Sequence, residues 1–496
     1  MKHHPESVVT TAQGTVRGLR RGDTAAFLNV PYAAPPRGAG RFAPPQPHEP
    51  WDGVRDATVP GPNAPQSERK LGSVDMSPYF GPGWSRGEDY LTVNIWTPAA
   101  DGSELPVMVF VHGGGFVAGS TRSVLYDGSA FARDGVVLVT LNYRLGIAGF
   151  LDLPGVPANR GLLDVVAALR WVRENIAAFG GDPHNVTLCG QSAGATVVGG
   201  VLATPEAAGL FHRAIVQSGS GLGAFTAEQA ARVTKSVAAD LGIAPHVDAF
   251  AEISDDRLVE AASRLAGIDL RTETHHDPLI GLSPFSLVLD TQPAASVAQG
   301  IGAGVDLLIG TNTEEGNLYL VPVGTYATST AADVDDAATR SHPKPTQLIE
   351  TYRTSRPEAS FPELRSAIMG DALFGAGSRA LAGAHAAHPQ SATYAYEFAW
   401  RSQALDGELG ATHAVELPFV FDLVHLPRLH GPAALLGPDK PPGDLAARMH
   451  ETWIRFARTG NPGWDPYDTR HRATMRIDAE WTQVDDPRSQ ERQAWN

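Results

Sequence analysis

Val186-Thr187-Leu188-Cys189-Gly190-Gln191-Ser192-Ala193-Gly194-Ala195 is the stretch on which the reading of this chain turns. A short apolar run, Val186-Thr187-Leu188-Cys189, leads into Gly190-Gln191-Ser192-Ala193-Gly194, a G-x-S-x-G pattern. The small residues 195–203 that follow are expected to form a helix. Five residues of this kind arise by chance, but strand, sharp turn and helix in register are far more specific. Chemistry accounts for the glycines. A strand that turns into a helix within one residue leaves no room for side chains beside the apex, and the apical serine is held in strained backbone that points its hydroxyl outward. Ser192 is therefore read as a nucleophile at the tip of an elbow rather than as part of a simple structural turn.

Outward from the elbow, the same texture repeats. Val107-Met108-Val109-Phe110-Val111 is a continuous apolar run that ends, after His112, in three glycines, and residues 136–141 form another. Residues 214–216, 305–309 and 393–398 read as further strands. Residues 161–179 predict an amphipathic helix, because Leu162, Val165, Val166, Leu169, Val172, Ile176 and Phe179 fall on one stripe. Gly180-Gly181 supplies its stop and Asp182-Pro183 a turn. Residues 445–458 are read as a last helix, closed by Gly460 and Pro462. Short apolar runs bounded by glycine and separated by helices predict an α/β class with a central, mostly parallel sheet flanked by helices. With the elbow, this is the α/β-hydrolase fold. A single domain over 1–496 is expected. Within it, 1–100 is rich in Pro and Gly and reads as a meander of short strands. The Ala- and Asp-rich stretches 222–300 and 322–390 read as helical insertions over the sheet's edge that shape the pocket, and 328–336 is expected to be a mobile loop.

A serine hydroxyl needs a base to take its proton, and the base needs an orienting acid. In this fold the chain order is serine, acid, histidine. Glu314 and Glu315, in the segment Gly310-Thr311-Asn312-Thr313-Glu314-Glu315-Gly316 after a strand, are the candidate acids, and spacing alone does not choose between them. Among 17 histidines, His413 in Gly410-Ala411-Thr412-His413-Ala414-Val415-Glu416 has a suitable place, with His425 and His430 as rivals. The glycines after the run 107–111 suit an oxyanion-binding loop, since glycine lets backbone N–H groups turn toward one point. A phosphate-binding loop is the competing reading, but no Gly-Lys-Ser/Thr follows. The N–H groups of Gly114, Gly115 and Ala193 are assigned as donors.

Bulk properties bound the function. The 496 residues carry 39 Lys plus Arg against 54 Asp plus Glu, a formal charge of −15. This argues against nucleic acid, whose phosphates need a concentrated basic face, and disfavours an anionic membrane surface. The lone cysteine, Cys189, permits no intrachain disulfide and is most simply a small buried residue. The first residues are polar, with neither a signal-like apolar segment nor an 18-residue apolar run, so a cytoplasmic protein is expected, with secretion left open. His3 and His4 are read as part of a disordered terminus rather than a metal pair. No metal or cofactor is expected, and a monomer is expected, with a weak homo-oligomer left open.

With these residues in hand, the chain resembles the carboxylesterase/cholinesterase (type B carboxylesterase) family, and within it the bacterial para-nitrobenzyl esterases. Asn29-Val30-Pro31-Tyr32-Ala33, Glu88-Asp89-Tyr90-Leu91-Thr92-Val93-Asn94, Asn142-Tyr143-Arg144-Leu145-Gly146, Gln217-Ser218-Gly219-Ser220 and Phe456-Ala457-Arg458-Thr459-Gly460-Asn461-Pro462 carry the likeness over nearly the whole length. The resemblance implies Glu315 as the acid and His413 as the base. It also implies Ser218 as a support of the triad and an ion pair between Arg41 and Glu88. Gln191 stands where the family usually has Glu beside the nucleophile, Tyr90 replaces a disulfide cysteine, and Phe80 lies where cholinesterases carry the Trp that holds a quaternary ammonium. The function implied is hydrolysis of small neutral alkyl or aryl esters through an acyl-enzyme, with activity rising through about pH 6–7 as an imidazole base becomes neutral. Hydrolysis of carbamates or aryl amides by the same triad, and a non-catalytic adhesion or binding module, are the alternatives.

Overall fold

The apolar runs that bracket the elbow become the middle of one large sheet. The computed structural model describes residues 6–98 and 104–496; His3 and His4 lie outside the described residues. Five strands open the chain: β1 (Glu6–Thr10), β2 (Thr15–Arg21), β3 (Thr24–Pro31), β4 (Val54–Asp56) and β5 (Thr92–Pro98). They are followed by β6 (Leu105–Val111), β7 (Val137–Leu141), β8 (Gly181–Gln191) and β9 (Arg213–Gln217). β10 (Asp306–Asn312), β11 (Thr393–Phe398), β12 (Ala473–Ile477) and β13 (Thr482–Asp485) complete the set among the described residues.

Seven neighbours, in the order β7-β6-β8-β9-β10-β11-β12, pair in parallel. β1, β2, β3 and β5 extend the sheet antiparallel on one side, and β13 does so on the other. The central strands are apolar throughout because both faces are covered. Along β6, Val107, Val109 and Val111 enter one core cluster while Met108 and Phe110 enter the other. This alternation is the pleat expressed as packing.

Helix Arg160–Asn175 covers the first face with Leu162, Val165, Val166, Leu169 and Val172. A 3-10 turn, Ile176–Phe179, extends it to Gly180 at φ +83°, from which β8 begins at once. Helix Leu445–Thr459 covers the other face through Met449, Trp453 and Phe456. It is not the last element. β12, β13 and a helix, Ser489–Ala494, follow it. The exposed β13 and the mixed burial of β12 explain why an edge of this kind carries little apolar signal.

The stretch 222–300 holds helices Ala227–Leu241, Val247–Ala251, Asp255–Arg264 and Pro293–Ala298. The stretch 322–390 holds Ala331–Ser341, Pro345–Ser355, Phe361–Gly370, a π turn at Asp371–Gly375, and Ala376–Ala386. Helix Ala376–Ala386 lies against the interior strands β10 and β11, not beyond an edge. Residues 328–336, expected as a loop, instead start a helix. Thr330 and Asp333 form a capping box around its first turn, satisfying N–H groups that a loop would leave to water.

One expected ion pair is absent. Glu88 pairs with Arg37 at 2.8 Å on the surface, while Arg41 turns toward the helix that begins at Asp255, with Nε 3.4 Å from the Asp255 carboxylate. A fully buried pair is formed by Arg144 with Asp164, at 2.7 Å and with no exposure of either side chain. Among the described residues no helix is long and apolar enough to cross a membrane.

Candidate active site

Four segments far apart in the chain meet above the carboxyl ends of β6, β8 and β10. The first is the elbow. Ser192 sits between β8 and helix Ala193–Leu202 with φ 58° and ψ −128°, a conformation that costs about 1–3 kcal/mol for a residue with a Cβ. Its N–H donates to the Gln217 carbonyl at 2.9 Å, which anchors the turn to β9. The flanking glycines are required by space. A Cβ on Gly190 would stand 2.7 Å from the Gly194 oxygen, and one on Gly194 would stand 2.2 Å from the Val111 oxygen.

The second segment is the turn after β10. Glu315 is buried there, and its Oε1 accepts from Ser218 Oγ at 2.5 Å and from the Asn312 N–H at 2.7 Å. The third is the loop that carries His413. Its Nδ1 lies 2.6 Å from Glu315 Oε2, and its Nε2 lies 2.8 Å from Ser192 Oγ. A carboxylate can only accept, so Nδ1 carries the proton and Nε2 offers its lone pair to the serine hydroxyl. The rival carboxylate, Glu314, faces away: it pairs with Arg401 and accepts from the Ala411 N–H at 2.8 Å. His430 donates to or accepts from nothing at this site; its Nε2 contacts the Val424 carbonyl.

The fourth segment is the glycine loop. Gly114 (φ +119°) and Gly115 (φ +65°) adopt left-handed backbone, and both border the same cavity as Ser192 and Ala193. Burial pulls the neighbouring His112 down to about 4, so this imidazole is neutral. It stacks on Tyr143, with ring centroids 4.5 Å apart.

A serine within hydrogen-bond reach of an imidazole, itself held by a carboxylate and facing a glycine loop, is an arrangement for acyl transfer. The sequence profile described as the carboxylesterase family matches residues 5–495. The chain belongs to the carboxylesterase family. It is 37% identical to the para-nitrobenzyl esterase of Bacillus subtilis over 98% of both chains. It is 34% identical to the phenmedipham hydrolase of Pseudarthrobacter oxydans, over 92% of this chain and 91% of that one. Among solved structures, a carboxylesterase of Geobacillus stearothermophilus superposes with a TM-score of 0.85 at 36% identity, covering 99% of this chain and 100% of the other. The mostly parallel sheet and its flanking helices are thus those of the α/β-hydrolase fold.

Several residues around this carboxylesterase's site were not singled out in the sequence. Phe374, delivered by the π turn, stacks on the His413 ring at 4.2 Å and 9°. Such turns are rare and concentrate at functional sites. Glu416 is fully buried three residues beyond His413; its carboxylate accepts from Asn312 Nδ2 at 2.8 Å. Burial, and then the charge of Glu315, raises its carboxyl to about 7.

Gln191, noted for replacing a carboxylate, is also buried. Its amide oxygen accepts from the Tyr79 hydroxyl at 2.5 Å, which turns the amide nitrogen toward His413 Nε2, 3.3 Å away. Of the aromatics read as pocket or core, Phe116 borders the cavity, while Phe285, Phe398 and Phe419 belong to the core. Among the described residues, no group of three or more His, Cys, Asp or Glu could hold a metal ion.

Proposed function

We propose that this carboxylesterase cleaves small carboxylic esters, including neutral alkyl and aryl esters, through an acyl-enzyme on Ser192. One observation carries the reading: His413 touches both the Ser192 hydroxyl and the Glu315 carboxylate within hydrogen-bond distance. His413 Nε2 takes the hydroxyl proton as Oγ attacks the ester carbonyl. The tetrahedral oxyanion is met by the N–H groups of Gly114, Gly115 and Ala193. The proton then passes to the departing alkoxide, the alcohol leaves, and the acyl group remains on Oγ. Water, deprotonated by the same imidazole, attacks in its turn and releases the acid. Glu315 holds the ring in the required tautomer and stabilises its transient charge, and Ser218 and Asn312 hold Glu315.

The single-domain reading gives the two helical stretches the pocket walls. Leu279, Leu282 and Ser283 contribute from one, Leu373 and Phe374 from the other. A cytoplasmic location fits the one free cysteine, which is buried, and a monomer fits exposed large apolar side chains that are mostly valines.

Replacing Ser192 by Ala is expected to lower kcat on a para-nitrophenyl ester by about four to six orders of magnitude and to abolish fluorophosphonate labelling. A Ser192→Ala protein that still turns over the ester, with no contaminating esterase, would end the proposal.

A further inference from the structure

The catalytic cavity, about 50 Å³, is mostly apolar, with Leu71, Met76, Leu282 and Leu318 in its walls. Into it projects one permanently charged side chain, Arg69. Among the described residues no Asp or Glu borders this cavity, and none forms an ion pair with Arg69. Arginines elsewhere meet carboxylates, as Arg144, Arg356 and Arg488 do, or, like the buried Arg160, give their N–H groups to four backbone carbonyls, whereas one carbonyl, that of Gly114, accepts from Arg69. Burial pulls the Arg69 pKa down, and the opposing influences come from the Tyr319 and Tyr79 hydroxyls rather than from a carboxylate.

The guanidinium is nevertheless well held. Nη1 donates to the Gly114 carbonyl at 2.9 Å, and the group lies 5.7 Å from the centre of the Phe80 ring. A Cβ added to Gly115 would stand 2.6 Å from Nη1, so the cation rests directly on the glycine loop. Arg69, Leu71 and Leu282 also border a second cavity of about 290 Å³, so the cation stands where the two meet. The aromatic face at Phe80 thus meets the protein's own cation. A part-buried guanidinium beside apolar walls and without a counter-ion favours a ligand that supplies one. Its planar fork matches a carboxylate.

We propose that Arg69 recognises a free carboxylate on the substrate, so that the preferred esters are those bearing a second, unesterified carboxyl group. This rests on the serine-esterase reading above and extends it from neutral esters to half-esters and carboxylated esters. The carboxylate sits on either the acyl or the alcohol side, and the assay separates the two. Two matched pairs serve, corrected for spontaneous hydrolysis. 4-Nitrophenyl hydrogen adipate against 4-nitrophenyl methyl adipate tests the acyl side. 3-Butyryloxybenzoate against its methyl ester tests the alcohol side.

In at least one pair, the wild-type kcat/KM for the anionic ester is expected to exceed that for its neutral partner by about 10-fold or more. The readout in variants is this ratio, not the absolute rate. Arg69→Gln is expected to lower it by about 10- to 100-fold, whereas Arg69→Lys keeps part of it. If Arg69 only braced the glycine loop through Gly114, both esters of a pair would slow together and the ratio would stand.

A wild-type enzyme that favours the neutral ester in both pairs overturns the proposal, as does a ratio unmoved by Arg69→Gln. If that variant does not fold, the wild-type ratios and Arg69→Lys decide. Fluorophosphonate labelling of Ser192 with turnover of the neutral esters, but no preference for charge, refutes only the carboxylate proposal. Failure of labelling and of all turnover refutes the catalytic reading itself.

Discussion

Replacing Glu315 by Gln changes one oxygen for an amide nitrogen and almost nothing in shape, yet it should cost this carboxylesterase about 10⁴ in kcat. Two buried donors, Ser218 Oγ–H and the Asn312 N–H, converge on Glu315 Oε1. In the Gln variant the amide oxygen is drawn to that side. With the amide reversed, the –NH₂ group would face the Asn312 N–H, and a buried donor left unpaired costs about 1–3 kcal/mol. The favoured orientation therefore points –NH₂ at His413 Nδ1. This makes Nδ1 an acceptor and moves the ring proton to Nε2, where it can no longer take the Ser192 proton. The variant also loses the anion that balances the imidazolium in the transition state. At a charge separation of about 4 Å and an effective dielectric near 20, that loss is about 4 kcal/mol. Together the two effects are of the order of 5–6 kcal/mol, about four decades in rate.

The assay is steady-state turnover of a para-nitrophenyl ester, with circular dichroism to show that the fold persists. Glu314→Gln is the comparison, since Glu314 is spent on Arg401 and the Ala411 N–H. It should keep kcat within about 10-fold. A Glu315→Gln enzyme with more than about a tenth of wild-type kcat, or equal losses in the two variants, would refute the reasoning.

Gly114→Ala should lower kcat by about 100-fold or more, because at φ +119° its Cβ would stand 2.0 Å from the Ala118 oxygen and displace the proposed oxyanion donors; burst kinetics would locate the loss in acylation. Asp164→Asn should lower stability to urea by about 3–5 kcal/mol, since it leaves Arg144 buried and uncompensated, and a result under about 1 kcal/mol would refute the role given to the pair. Glu416 bears on stability against pH. Burial and the charge of Glu315 raise its carboxyl to about 7, with His413 opposing and Tyr396, Tyr79 and Tyr126 nearby. The folded chain thus holds this proton more tightly than the unfolded chain, whose Glu titrates near 4.3. The contribution is whole below about pH 4.3 and is lost as pH rises through 7, on the order of 3 kcal/mol in all. Urea midpoints at pH 5.5 and 8 should fall with pH in the wild type and change less in Glu416→Gln.

The neighbourhood of Ser192 was legible because everything it needs is local. The apolar strand, the two glycines and the small-residue helix occupy one continuous stretch, and the clashes that demand glycine arise within it or with the adjacent strand end. The same holds for the three glycines after β6 and for the apolar runs of the parallel strands, each buried on both faces. Helix Arg160–Asn175 was equally plain, since its stripe and its Gly180 stop are neighbours in the chain. β12 and β13 were not, because an edge strand half in water carries no continuous apolar run.

Chain order and composition therefore determined the fold class, the elbow and the short list of acids and bases. Which of two adjacent glutamates meets the imidazole was decided by how the turn after β10 directs consecutive side chains to opposite sides, one to Arg401 and one to His413. The same is true of Arg41, whose partner proved to be Asp255, more than two hundred residues away. Arg69, read as nothing in the sequence, draws notice only once the fold sets it beside an apolar cavity with no carboxylate among the described residues on its border. Such choices depend on which surfaces close against one another, and no spacing along a chain encodes the distance between loops brought together by packing.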